Sequence, residues 1–344
     1  MRRNKTALVL IGLGIGLSIL VTILNKEGNT STLQDASLSG SLLRDWSPQN
    51  KTEGKERITS TSAELENIER VQRLRQGCKL GHNRKTIGSQ HLDYLIVDEK
   101  YKTVFCYIPK ISCSQWKTIF ITLSGKVNSS KLNFGNVHTK YQGVMKFLRM
   151  YSLKEQRQIL NKYKKYIVVR NPLERLLSAY RNKLAGKGIH DYTFRKTGQE
   201  IVKRYRVNAT RESLQNGDDV TFLEFVRYIT DVKTRHFNDH WERYTKLCRP
   251  CLVKYDFVGK YETLNRDADY ILKDIGVPPQ IRFPRRSEKY STVETKKTFE
   301  TFYSQIPAEY IQKLWNVYRA DFDLFGYSLS DHLNVTSIAE ATLL

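Results

Sequence analysis

The chain has 344 residues, 40% of them hydrophobic, so it can bury a sizeable core, and a wholly disordered chain is excluded. Lys and Arg number 57 against 35 Asp and Glu, which gives a formal net charge of +22. The excess is spread along the chain and predicts an anionic partner, but charge alone does not decide among a nucleic acid, an acidic membrane surface, a nucleotide and an acidic polysaccharide.

The amino terminus predicts a membrane anchor. Residues 7–24 carry no charge and just reach the length needed to span a bilayer. No small-x-small cleavage site follows Leu24, which favours an uncleaved signal anchor over a cleaved signal peptide. Residues 1–6 are basic, so they are predicted to form a cytoplasmic tail and the rest of the chain to lie in a lumen. The sequons beyond the span agree with that orientation: Asn29, Asn50, Asn128, Asn208 and Asn334.

Composition divides the lumenal part of the chain. Residues 25–77 are rich in Ser, Thr, Asn, Gln and charge and poor in aromatics, so we predict a flexible stem with helical tendency near residues 62–75. Aromatics are frequent over residues 78–333, and no long Pro, Gly or Ser tract interrupts them. These residues are predicted to form one globular domain, followed by a carboxyl-terminal tail at 334–344.

Five cysteines leave at least one thiol unpaired if disulfides form, and the pairing is not readable from the sequence. Cys248 and Cys251 form a CxxC motif, which raises zinc binding and redox chemistry as alternatives. The second ligand pair of a zinc site is missing, no thioredoxin-like order of strand and helix surrounds the motif, and a lumen favours disulfides. We therefore predict no metal site.

Strands and helices alternate inside the predicted domain. Short apolar, β-branched runs predict three strands, at residues 103–108, 166–170 and 253–260. A helical pattern follows each strand, and a further helix is predicted near the carboxyl end; these helices cover 114–123, 172–184, 261–276 and 308–325. Repeated strand, turn and helix predict an α/β domain with a parallel sheet whose ligands bind at the carboxyl ends of the strands.

The turn after the first strand, in the segment IPKISCSQWK, predicts an anion site. A helix that begins after a strand offers unpaired backbone N–H groups and a positive dipole end. Lys110, Ser112 and Ser114 add an ammonium and two hydroxyls at that position. The alternative is a solvated turn with a helix-capping serine. No Walker motif is present, so the sequence does not favour nucleoside triphosphate hydrolysis.

The segment VVRNPLERLLSAY repeats this arrangement. Arg170 ends the second strand and Ser178 lies two helical turns later, so a guanidinium and a hydroxyl can share a second phosphate. Glu174 and Arg175 are interpreted as a surface pair. The helix has its predicted buried face at Leu173, Leu176, Leu177 and Tyr180. Two anion sites in one sheet predict a nucleotide with phosphates at two separated positions.

At this point the sequence resembles a known family. IPKISCSQWK resembles the 5′-phosphosulfate loop, and VVRNPLERLLSAYRNKL the 3′-phosphate segment, of Golgi carbohydrate sulfotransferases that use 3′-phosphoadenosine 5′-phosphosulfate (PAPS). Four further segments resemble the branch with chondroitin and dermatan N-acetylgalactosamine 4-O-sulfotransferases: 208–229, 237–251, 255–272 and 321–328. The resemblance covers about residues 78–333. It implies a P-loop-like sulfotransferase fold with a central parallel sheet flanked by helices, and a type II Golgi membrane protein with a lumenal catalytic domain.

The resemblance also implies a binding site for PAPS and no metal. The 5′-phosphosulfate would lie among Pro109, Lys110, Ile111, Ser112, Cys113, Ser114 and Gln115, with Lys110 nearest the transferring group. The 3′-phosphate would lie between Arg170 and Ser178, with the turn and helix between them: Asn171, Pro172, Leu173, Glu174, Arg175, Leu176 and Leu177. Ile111 and Cys113 depart from the glycine-containing loop of cytosolic sulfotransferases.

Transfer of a sulfuryl group needs positioned positive charge and a base for the acceptor hydroxyl. Lys110 suits the first role, because charge builds on the bridging oxygen as its bond to sulfur breaks. Histidine is the commonest base. We predict His240 for this role, with His138 as the second candidate and packing beside Trp241 as the alternative for His240.

The acceptor is predicted to be an acidic polysaccharide of the chondroitin or dermatan type, or else a glycoprotein glycan. Candidate basic contacts, each of which can equally be a solvated surface charge, are Arg204, Arg206, Arg243, Arg285, Arg286 and Lys289. A membrane-tethered polyanion-binding module would lack the paired nucleotide site, and no nucleic acid is predicted as partner. A lumenal kinase would need a glycine loop and Mg²⁺ carboxylates, which the sequence does not show.

Overall fold

The structure is a computed structural model that describes residues 51–80, 92–133, 135–186, 192–231, 237–285 and 292–331. The predicted tail, the predicted span and the carboxyl-terminal tail lie outside these ranges. So do the basic candidates Arg286 and Lys289. Within the described ranges, no helix has both the length and the apolar character to cross a bilayer.

Five strands and twelve α-helices make up the described fold. The strands are β1 (Leu95–Asp98), β2 (Thr103–Cys106), β3 (Lys146–Phe147), β4 (Lys164–Val169) and β5 (Phe257–Lys260). The helices of the first half are α1 (Lys51–Lys79), α2 (Cys113–Leu123), α3 (Leu153–Lys162), α4 (Pro172–Lys183), α5 (Tyr192–Tyr205) and α6 (Arg211–Asn216). Those of the second half are α7 (Phe222–Thr230), α8 (Tyr244–Leu247), α9 (Pro250–Val253), α10 (Leu264–Ile275), α11 (Thr292–Tyr303) and α12 (Ala308–Phe325).

The strands form one sheet in the order β3-β1-β2-β4-β5, which confirms the α/β class. Strands β2, β4 and β5 are the three that the sequence predicted, and they are parallel. Strands β1 and β3 are antiparallel to their neighbours, so the prediction of a parallel sheet is wrong for this half and the sheet is mixed. Only four residues separate β1 from β2, and such a short connection permits an antiparallel hairpin but no crossover.

Helix α1 occupies the second half of the predicted stem and packs against β5, α10 and α12. Val71 and Leu74 are buried in the core. Arg70 donates from Nη1 to Oδ2 of Asp267 at 2.7 Å, and Asp267 is fully buried. The helix therefore belongs to the same compact unit as the sheet.

Two disulfides hold the CRPC segment against the rest of the domain. Cys251 bonds to Cys78 at the end of α1, and Cys248 bonds to Cys106, the last residue of β2. Both cysteines of the CxxC motif are therefore disulfide-bonded. Cys113 is the free cysteine, and it is half-buried.

Candidate active site

The two strand-to-helix turns lie side by side at the carboxyl edge of the sheet. Strands β2 and β4 are parallel neighbours, with Cys106 in register with Ile167. Neighbouring strands are about 4.8 Å apart, so the turn after β2 and the turn after β4 are adjacent. Arg175 Nε, on α4, donates to the carbonyl oxygen of Pro109 in the first turn at 3.0 Å. The two predicted anion sites thus face one shared space.

The first turn has an unusual backbone for a sequence without glycine. Lys110 has φ 72° and Ser112 has φ 51°, both in the left-handed region. Non-glycine residues held in that region are strained, and such strain is concentrated at functional sites. The turn leads directly into α2, whose first-turn N–H groups have no intrahelical acceptor. Backbone of this kind, curled ahead of a helix start, suits binding of a phosphate or sulfate group.

Lys110 points toward α4. Its Nζ donates to Oδ1 of Asn182 at 3.0 Å. Burial, together with the nearby cations Lys183, Arg170 and Arg175, lowers the pKa of Lys110 to about 8. A lysine in this setting remains cationic at neutral pH but is poorly solvated, so it gains from an incoming anion.

The second turn places Arg170 against α4 and Tyr261. Arg170 Nε donates to Oε2 of Glu174 at 2.9 Å, and its guanidinium lies 4.3 Å from the ring centroid of Tyr261. Among the described residues, no acceptor bonds its two terminal nitrogens. Ser178, half-buried, follows Glu174 by one turn of helix, so the three side chains share one face of α4 and its preceding turn. The chemistry of this face fits a phosphate near Arg170.

The interpretation of Glu174 and Arg175 as a surface pair is wrong. Glu174 pairs with Arg170, and Arg175 is only 2% exposed. Arg175 uses all three kinds of guanidinium nitrogen on backbone carbonyls: Nε on Pro109, Nη1 on Glu242 at 2.6 Å and Nη2 on Asp239 at 2.7 Å. It therefore ties the first turn to the segment that carries His240.

The remaining residues of the two turns act through backbone or packing. Asn171 is the N-cap of α4, accepting from the N–H of Leu173 and of Glu174, and Pro172 is the first helical residue. Cys113, Ser114 and Gln115 form the half-buried first turn of α2. The apolar side chains are buried in the core, as predicted for α4, so only their backbone can approach a ligand: Ile111, Leu173, Leu176 and Leu177.

His138 lies in a 3₁₀ turn, Asn136–His138, that packs beside α2. Its Nε2 is 2.7 Å from Oγ of Ser114, and its Nδ1 is 3.3 Å from Nζ of Lys117. Lys117 is only 4% exposed and sits 4.1 Å from the ring centroid of Tyr107. Burial and the charge of Lys117 lower the pKa of His138 to about 4. His138 is therefore neutral at physiological pH.

His240 lies in the loop before α8, half-buried, with its ring edge-on to Phe194. Its Nδ1 is 2.7 Å from Oδ1 of Asn238 and 2.9 Å from Oδ1 of Asp239. Burial lowers the pKa of His240, an effect that Asp239 opposes and that Lys183 and Lys110 add to. Because both partners of Nδ1 are acceptors, Nδ1 carries the proton and Nε2 offers a lone pair.

The sequence did not single out Lys117 or Asp239 as parts of the site, and it placed Arg175 only in the 3′-phosphate segment. Arg175 and Lys117 are cations at positions within otherwise apolar helix faces, a pattern that signals a buried charge but does not name its partners. Of the basic candidates for the acceptor, Arg206 pairs with Asp219 and Glu224. The others that pair with a carboxylate are Arg204 and Arg243.

Comparison with known proteins identifies the family. Residues 93–328 match the sulfotransferase family. Carbohydrate sulfotransferase 11 of Rattus norvegicus is 38% identical over 266 residues, which cover 76% of this chain and 74% of the relative. Carbohydrate sulfotransferase 14 of Danio rerio is 39% identical over 246 residues, covering 72% of this chain and 64% of the relative.

A third relative, carbohydrate sulfotransferase 9 of Homo sapiens, is 33% identical over 317 residues, covering 89% of this chain and 68% of the relative. No solved structure matches the chain significantly. The match to the family spans both strand-to-helix turns, the His240 loop and all five strands of the sheet. The chain is therefore an enzyme of the sulfotransferase family.

Proposed function

We propose that the chain transfers a sulfuryl group from PAPS to a sugar hydroxyl of an acidic polysaccharide, with position 4 of N-acetylgalactosamine in chondroitin or dermatan as the acceptor. One observation carries the proposal. The turns after β2 and β4 are adjacent and are joined by the hydrogen bond from Arg175 to Pro109, so one nucleotide with two separated phosphates can bridge them.

Each of the two turns would bind a different end of the nucleotide. The first turn, 109–115, would hold the 5′-phosphosulfate through its backbone N–H groups, the Ser112 and Ser114 hydroxyls and the Lys110 ammonium. Arg170 and Ser178 would hold the 3′-phosphate. Glu174 would keep the Arg170 guanidinium in place through its Nε, which leaves the terminal nitrogens for the phosphate.

The reaction breaks the bond between sulfur and the bridging phosphate oxygen and forms one between sulfur and the sugar oxygen. Lys110 would stabilise the negative charge that develops on the bridging oxygen. The proton of the sugar hydroxyl would pass to a base. The Asn182 amide holds Lys110 in the free enzyme, and a donor that binds here would compete for the same ammonium.

We assign the base to His240 and not to His138, because their hydrogen bonds set opposite tautomers. His240 donates from Nδ1 and therefore exposes a lone pair at Nε2. Lys117 can only donate, so Nδ1 of His138 is the acceptor and Nε2 carries the hydrogen. The free lone pair on His240 can accept a proton, whereas neither ring nitrogen of His138 is available to do so.

Charge near the site supports an anionic acceptor. Between Glu99 and Glu155 the chain contains ten Lys and Arg and no Asp or Glu. This acid-free segment includes the 3₁₀ turns around His138, and Lys131 and Lys140 are exposed there. A cationic surface beside the reacting groups raises the local concentration of a polyanion. A glycan on a glycoprotein is the alternative acceptor.

The location of the enzyme is part of the same proposal. We infer a single-pass type II protein of the Golgi membrane, anchored by residues 7–24, with a P-loop-like sulfotransferase fold in the lumen. Two disulfides in the described part of the chain agree with an oxidising compartment. The sequon asparagines Asn128 and Asn208 are both exposed, as an acceptor of glycosylation must be.

The experiment that tests the reaction uses the purified full-length chain with sulfur-labelled PAPS. It is offered a panel of desulfated chondroitin, dermatan and heparan, together with a glycoprotein bearing terminal N-acetylgalactosamine. Products are digested to disaccharides, and the labelled position is identified. Label at position 4 of N-acetylgalactosamine is expected. Label at another position, or only on the glycoprotein, would replace the acceptor assignment, and no label on any sugar would reject the function.

A further inference from the structure

The chain contains a line of three polar side chains, two of which, Lys117 and His138, have no role in the reaction described above. It runs from the ammonium of Lys117 through the imidazole of His138 to the hydroxyl of Ser114. Lys117 is nearly fully buried, and its ammonium lies 3.3 Å from Nδ1 of His138. Among the described residues no carboxylate forms an ion pair with this buried ammonium, and such burial is costly, so its presence beside a site needs a reason.

The direction of each hydrogen bond in this line follows from chemistry. An ammonium has no lone pair, so it donates to Nδ1 of His138. A neutral imidazole that accepts at Nδ1 carries its hydrogen on Nε2. Nε2–H therefore donates to Oγ of Ser114, at 2.7 Å. The hydroxyl oxygen of Ser114 is an acceptor in this bond, and its own hydrogen is left to point elsewhere.

Ser114 is the second residue of α2, at the end of the helix that faces the shared space between the two turns. The carbonyl oxygen of Ser114 accepts from Thr118 Oγ1, and its hydroxyl oxygen accepts from His138. Its free O–H is thus the one group of the residue, besides the backbone N–H, that can donate into the site.

We propose that His138 is a positioning residue for the sulfate donor: it holds the Ser114 hydroxyl so that the O–H donates to the 5′-phosphosulfate, and Lys117 fixes the imidazole tautomer that this requires. The proposal rests on the proposed function, since it names the donor nucleotide as ligand. It separates the two histidines by role. His240 serves the acceptor sugar, and His138 serves the donor.

The positioning role predicts a specific kinetic result for the full-length enzyme. His138→Ala and Ser114→Ala are each expected to raise the KM for PAPS roughly tenfold or more, because each prevents an oriented Ser114 O–H from donating to the charged phosphosulfate. The KM for the polysaccharide is expected to stay unchanged. The double variant is expected to be no worse than either single variant, because both remove the same bond.

Two further variants separate positioning from a loss of packing. His138→Gln retains an amide N–H that can donate to Ser114 but has no imidazole to act as base, so it is expected to recover most of the PAPS affinity. Lys117→Met removes the ammonium at similar length and is expected to raise the KM for PAPS like His138→Ala. Thr122→Ala removes a hydroxyl that bonds backbone two turns further along α2 and is the matched control, expected to have no effect.

The outcomes are separable. If the wild-type enzyme neither binds 3′-phosphoadenosine 5′-phosphate by calorimetry nor transfers sulfate, the proposed function itself fails. If it does both, the positioning role is overturned when His138→Ala lowers kcat at an unchanged KM for PAPS. It is equally overturned when the effects of the His138 and Ser114 substitutions multiply, or when His138→Gln is as impaired as His138→Ala.

Discussion

At the scale of single residues, the environment of Lys110 explains how a lysine can serve a group-transfer reaction. Burial and neighbouring cations lower its pKa to about 8, so the ammonium is present at neutral pH and is held ready for an anion. Lys110 and Ser112 adopt left-handed backbone conformations although neither is glycine, and this backbone sets the direction of the Lys110 side chain. The residue is strained, which is expected where position matters more than stability.

The first prediction concerns Lys110. Lys110→Ala is expected to lower kcat by on the order of 100-fold or more, because it removes a preorganised charge. Lys110→Arg is expected to restore little, because a planar guanidinium does not occupy the place of a compact ammonium. Steady-state kinetics with saturating PAPS measures both. Near-normal turnover of the alanine variant would reject the assignment of Lys110.

The second prediction concerns pH. The pKa of His240 is lowered below its usual 6.5, so the base is neutral and active at neutral pH and is lost as pH falls through that lowered pKa. Lys110 is active when charged, so activity is lost as pH rises through about 8. A bell-shaped profile of kcat/KM is therefore expected. His240→Ala is expected to remove the ascending limb, and an ascending limb that survives in this variant would move the base elsewhere.

Residue types alone indicated the candidate residues of the site. Lys110, Ser112, Ser114, Arg170 and Ser178 are polar groups at strand ends and helix starts, where apolar packing does not explain them. The partners of these groups were not predictable, because hydrogen bonds such as those of His138 to Ser114 and Lys117 join residues that are distant in sequence.

At the scale of elements, α4 organises the site. Its first turn is capped by Asn171, one face of the helix and its preceding turn carries Arg170, Glu174 and Ser178, and its buried Arg175 reaches three backbone carbonyls. A single helix thus connects the turn after β2 with the loop that carries His240. Because Arg175 bonds to both segments, the geometry of the turn after β2 depends on the geometry of the His240 loop.

The third prediction tests this connection. Arg175→Lys keeps the charge but cannot satisfy three carbonyls, so it is expected to lower the free energy of unfolding by about 3 kcal/mol. Urea denaturation followed by far-ultraviolet circular dichroism measures it. Arg181→Lys is the matched control, because Arg181 is exposed on the same helix. Equal stability of the two variants would show that the Arg175 contacts contribute no stability.

The third parallel strand is shorter than the local sequence pattern predicted. The apolar run 253–260 was predicted as one strand, but β5 covers only Phe257–Lys260, and Pro250–Val253 forms a short helix before it. Cys251 and Cys248 explain the difference, because the two disulfides hold this segment against α1 and β2. The strand β1 carried a readable signal, namely an apolar run, a short segment rich in charge and a second apolar run.

At the scale of the whole molecule, the compact unit begins before the part that resembles the family. Helix α1 contributes Val71 and Leu74 to the core, an ion pair to the buried Asp267 and the partner of Cys251. The buried apolar side chains described in α1 are few, namely Ala63, Val71 and Leu74, which is why composition indicated a stem. These few residues become meaningful only against the surface that they cover.

The fourth prediction follows from α1. A chain that begins at residue 49 is expected to unfold at the same temperature as the full chain. A chain that begins at residue 80 is expected to lose roughly 2–5 kcal/mol with the Cys78–Cys251 disulfide and more with the Arg70–Asp267 pair. Differential scanning calorimetry compares the two. Equal melting temperatures would show that α1 is a spacer and not part of the domain.

The fifth prediction concerns the net charge of +22. The KM for the polysaccharide is expected to rise steeply with salt, because screening weakens attraction between exposed charges. Replacing Lys131 and Lys140 by Ala is expected to reduce that slope. Replacing Lys313, which pairs with Glu309, is the control and is expected to leave the slope unchanged. A salt-independent KM would contradict an anionic acceptor.

The sequence by itself determined the α/β class, the positions of the two strand-to-helix turns and the family, because these depend on local periodicity, on strand and helix ends, and on contiguous motifs. Tertiary structure decided the mixed sheet, the disulfide pairing, the docking of α1, the role of Arg175 and the tautomers of the two histidines. Each of these depends on which groups meet across long stretches of chain. Local sequence patterns reflect interactions between residues that are close in sequence, whereas burial and hydrogen bonding depend on residues that are close in space.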